Sequence, residues 1–142
     1  VQNPTHFAVL LIAGFLSRPG FNAAFGSLMK AGIPLAIGSD GPLNPYLNIL
    51  MVSTLPHLPA EAITREQAVI ANTRTAAFAE FEESNKGTLT VGKWADLAVL
   101  PQNIFKVTNP RLLQTESVLT MVGGKIVYDA GVLNTGPSRS KK

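Results

Sequence analysis

Apolar and polar positions divide the chain into a helix-patterned half, residues 1 to about 82, and a strand-patterned half from residue 86 to 133. Phe21, Ala24, Phe25, Leu28 and Met29 follow the i, i+3, i+4, i+7, i+8 spacing of an amphipathic helix. Lys30 falls in its last turn, and Gly32 is placed to end it. Ile33-Pro34-Leu35-Ala36-Ile37 is a continuous apolar run, as expected of a strand buried on both faces in a parallel sheet. A helix, a glycine and a buried strand make the αβ half of a βαβ unit, and Val1-Gln2 reads as the end of a preceding strand. Asn44-Pro45 has the form of an N-cap followed by Pro at N1, opening a helix through about Ser53. Thr64-Arg65-Glu66-Gln67 is a capping box, with Ile63 and Ala68 at the staple positions. It predicts a helix to about Phe81 with Ala68, Ala71, Thr75, Phe78 and Ala79 inward. Beyond Lys86-Gly87, strands are expected at Thr88 to Val91, Ala95 to Leu100, Ser117 to Val122 and Lys125 to Tyr128. Gly123-Gly124 between the last two is a two-residue hairpin signal.

Composition narrows this picture. The 142 residues are 46% hydrophobic and 15% charged. That supplies a core and excludes a disordered chain, and the shortage of charge suits a surface that something else covers. The formal charge of +3 comes from the end of the chain, where Arg139, Lys141 and Lys142 sit in a tail expected over 134–142. The body is neutral, which argues against a nucleic-acid partner. The apolar run Phe7 to Leu16 is shorter than the roughly 20 residues of a membrane span and lacks the flanks of a signal peptide. With no cysteine there is no disulfide framework or thiolate metal site, and the cytoplasm is the expected location. The chain opens on Val1, as a processed protein or a fragment would.

Asp40, in Gly38-Ser39-Asp40-Gly41-Pro42, is the leading candidate for chemistry. It follows a buried parallel strand, where α/β folds bind ligands and barrels carry catalytic groups. A carboxylate there can bind a metal or accept a proton from an activated water; the competing reading is a side chain that caps the next turn. A phosphate cradle in the same loop fits neither the P-loop nor the dinucleotide fingerprint, and Asp40 would repel phosphate. His6, in Gln2-Asn3-Pro4-Thr5-His6, could approach Asp40 from another strand's carboxyl end or be merely structural, and His57 reads as a loop residue. A catalytic zinc site needs about three protein ligands; these few donors match no compact motif. Glu80, Glu82 and Glu83 read as a solvated helix end, and Trp94 as a core or interface aromatic.

Taken together, Ile33 to Asp40, Thr64 to Ala68, the G-x-L-x-x-G-K-x-A-D-L-x-V-L pattern from Gly87 to Leu100 and the glycine hairpin Val122 to Tyr128 resemble the C-terminal part of metal-dependent amidohydrolases, closest to their YtcJ-like branch. The resemblance covers residues 1 to about 130. It implies an α/β fold: the last two βα units of a TIM-type barrel (1–85, with Gln2 to His6 ending the seventh strand) beside part of a small β-sandwich (86–133). It further implies hydrolysis of amide or cyclic amide C–N bonds in small molecules by a metal-activated water. Asp40 then stands as the strand-eight metal ligand and proton shuttle, with a divalent metal, zinc by resemblance, as cofactor. The family's first-strand His-x-His, its bridging Lys or Glu and the histidines of strands five and six have no counterpart here, and His6 matches no family ligand. Trp94 replaces a smaller aliphatic residue. The expected partner is therefore the N-terminal part of such an enzyme, without which the chain is inactive. The alternative is a non-catalytic remnant that self-associates as a homo-oligomer through unclosed strand edges.

Overall fold

A computed structural model describes residues 8–11, 23–38 and 44–133. In chain order these form β1 (Ala8–Leu11), α1 (Phe25–Lys30), β2 (Leu35–Gly38), α2 (Pro45–Thr54), α3 (Arg65–Asn72), α4 (Arg74–Ala79), β3 (Leu97–Val99), α5 (Asn109–Leu113), β4 (Leu119–Val122) and β5 (Lys125–Asp129), with a 3-10 turn at Pro59–Glu61. β1 and β2 pair in parallel, from Ala8 opposite Leu35 to Leu11 opposite Gly38. Leu35, Ala36 and Ile37 are all buried, as a run without alternation requires. The partner of β2 is thus drawn from the apolar run after Phe7; Val1-Gln2, read as a strand end, lies outside the described residues.

Helix ends follow local chemistry. Gly32 stops α1 at a φ of +75°. Asn44 caps α2, its Oδ1 accepting from the amides of Tyr46 (3.0 Å) and Leu47 (3.1 Å), and Pro45 takes the first turn, where a missing N–H costs nothing. The capping box of α3 is complete: the Gln67 amide donates to Thr64 Oγ1 (3.1 Å) and the Thr64 amide to Gln67 Oε1 (2.8 Å).

The single helix expected from Thr64 to Phe81 is two. Asn72 Nδ2 donates to the carbonyl of Ala68 (2.8 Å) and Thr73 Oγ1 to that of Val69 (2.7 Å), and Thr73 leaves helical geometry at φ −123°, ψ −86°. Side chains that bond their own backbone compete with the helix ladder. The break changes the helix phase, so Ala77 is buried in place of Phe78, which is 37% exposed. Three further expectations shift. Thr88 to Val91 forms no strand, and Val91 is fully exposed. The strand expected at Ala95 to Leu100 shortens to Leu97–Val99. Trp94 is 52% exposed, so it is not a core residue of this chain.

Phe25, Leu35, Val52 and Leu112 are the largest fully buried side chains, each worth roughly 1.5–3 kcal/mol of burial. They join Ile37, Ile49, Ile63, Ala68, Ala71 and Ile104 in one core, so residues beyond 86 share it with the helices. The remaining strands form an antiparallel sheet in the order β3-β4-β5. Gly123 and Gly124 make its turn at φ +56° and +77°, the left-handed pair a type I′ hairpin needs.

Candidate functional site

The carboxyl ends of β1 and β2 meet at Leu11 and Gly38, and Asn44 is the cap of α2. Asp40 falls between these points in sequence, two residues past the end of β2; it lies outside the described residues, as does His6. The amides of Tyr46 and Leu47 are satisfied by Asn44, so they are not open to a phosphate.

His57 is exposed in the turn after α2. α2 has ten residues, so the turn that carries His57 lies roughly 15 Å along the helix from its N-cap. The acidic cluster lies at the end of α4, with Glu80 and Glu83 exposed and Glu82 partly so. Glu80 pairs with Lys86, and Glu82 Oε2 accepts from Asn85 Nδ2 at 2.7 Å. The Glu80 carboxylate raises the Lys86 ammonium pKa above its usual value.

A cleft of about 700 Å³ opens between α2, the α3–α4 pair and the segment leading into β3. Its apolar wall includes Ile49, Val69, Ala76, Ala77, Leu97 and Ile104, with Glu80, Lys86 and Asp96 among its charged groups. Tyr46, in the first turn of α2, also lines it, and burial raises its phenol pKa, which keeps it protonated. Asp96 is engaged elsewhere, its Oδ1 accepting from the Gly123 amide at 2.6 Å. The cleft therefore offers apolar burial and a few polar groups. Among the described residues, its lining includes no histidine or cysteine. This cleft could not be read from the sequence, because its walls lie up to 59 residues apart, from Pro45 to Ile104.

Residues 8–128 match the model of the amidohydrolase family. The chain belongs to that family. It is 36% identical over 115 residues to the protein LONG AFTER FAR-RED 3 of Arabidopsis thaliana, covering 73% of this chain and 19% of that protein. It is 27% identical over 112 residues to an N-substituted formamide deformylase of Arthrobacter pascens, covering 72% and 21%. An amidohydrolase structure from Thermotoga maritima superposes with a TM-score of 0.59 at 20% identity, covering 75% of this chain and 26% of that one. The likeness extends to a mixed α/β fold with a small antiparallel sheet. The chain spans about a fifth of the length of the curated relatives it matches.

Within this amidohydrolase chain, the family-like segments fall on definite elements. Gly87 and Gly92 take left-handed turns ahead of β3, and Val122 to Tyr128 is the β4–β5 hairpin. Amidohydrolases generally bind divalent metals, so the donor set matters. Among the described residues, no group of three or more His, Cys, Asp or Glu side chains could hold a metal ion. Three protein ligands is the usual minimum for a catalytic zinc, so the described residues do not by themselves fit one.

Proposed function

We propose that this chain is the part of a metal-dependent amidohydrolase that supplies the carboxylate at the end of barrel strand eight, Asp40. One observation carries the reading: in a chain of this family, a parallel strand pair ends at Leu11 and Gly38, its second strand buried at Leu35, Ala36 and Ile37, and Ser39-Asp40-Gly41 follows directly. Carboxyl ends of parallel strands are where barrels hold their catalytic groups.

In this reading β1 and β2 belong to the last two βα units of a TIM-type barrel, and the β3–β5 sheet to a sandwich beside it. The substrate is a small-molecule amide or cyclic amide; the formamide deformylase relative supports that class. A divalent cation, zinc in this proposal, would lower the pKa of water enough for attack at neutral pH. Asp40 would be one of its ligands, with the remaining ligands supplied from outside residues 1–142. The Asp40 carboxylate takes the proton of the attacking water and passes it to the leaving nitrogen, so the C–N bond breaks with a neutral amine departing. The chain alone is inactive.

The test is Asp40→Asn in the complete enzyme. Proton transfer by a positioned carboxylate is worth roughly 10²–10⁴ in rate, so kcat should fall by at least about 100-fold with an unchanged thermal melt. An unchanged kcat would refute the role.

A further inference from the structure

We draw no further inference here: the strongest candidate, the apolar faces that the β3–β4–β5 sheet turns outward at Val99, Val122, Ile126 and Tyr128, carries nothing because nothing in the structure shows what covers them.

Discussion

Gly87 holds φ at +89°, and a Cβ there would stand 2.7 Å from the Ala77 Cβ and 3.1 Å from the Arg74 Cα. Both conformation and space demand glycine. Gly87→Ala should lower stability by well over about 1 kcal/mol, read as a drop in the urea midpoint; an unchanged midpoint would contradict the close approach. A second residue-scale prediction concerns Glu61, whose carboxylate accepts from the Ser27 hydroxyl and amide, both at 2.6 Å. These bonds hold its pKa below the usual carboxylate range. A lowered folded-state pKa stabilises above the unfolded value, near pH 4.5, and that contribution is lost as pH falls through the folded value. Ser27→Ala should therefore melt below the parent at pH 7, and the gap should close in acid. A gap that persists after Glu61 is protonated would contradict this. The sequence marked Gly87 as a boundary but showed neither Ala77 beneath it nor Glu61 opposite Ser27, because both partners arrive through the tertiary fold.

Local signals that complete themselves within a turn were legible at the level of elements. Asn44-Pro45, Thr64 with Gln67, Gly32 and Gly123-Gly124 each fix their own backbone and stand where the pattern put them. Thr64→Ala removes the capping box and should cost about 1 kcal/mol, seen as a lower Tm without loss of helix content elsewhere. No change in Tm would mean that packing at Ile63 and Ala68 fixes the helix start unaided. Two features escaped the pattern for physical reasons. The break at Thr73 rests on side-chain bonds to Ala68 and Val69, which leave the apolar spacing intact across it. α5 is only five residues long, too short to show a period, although Leu112 is fully buried.

The whole molecule is tied across its two halves by Arg65. Its Nη1 donates to the carbonyls of Ile104 (2.7 Å) and Val107 (2.6 Å), and its Nη2 to Asn109 Oδ1 (2.6 Å). A planar fork reaches all three acceptors and an ammonium does not. Arg65→Lys should thus lose about 1–3 kcal/mol, with equilibrium unfolding as the check; a loss near zero would mean the segment is held by Ile104 and Leu112 alone. This tie was invisible in the sequence because its partners lie 39 to 44 residues away. The candidate site divides in the same way. Its strand and the cap that follows could be read locally, whereas under the proposed reading the further metal ligands would come from outside this chain, which spans about a fifth of the length of its curated relatives. Asp40 is proposed to serve a metal site completed by a longer polypeptide. Native mass spectrometry of the gently purified natural protein tests it most directly. The account predicts a mass several times the 15.1 kDa of this chain, made up by further polypeptide and carrying divalent metal. A metal-free monomer of this chain, or a homo-oligomer of it, would contradict the account; the homo-oligomer would instead make the chain a self-associating module without catalysis.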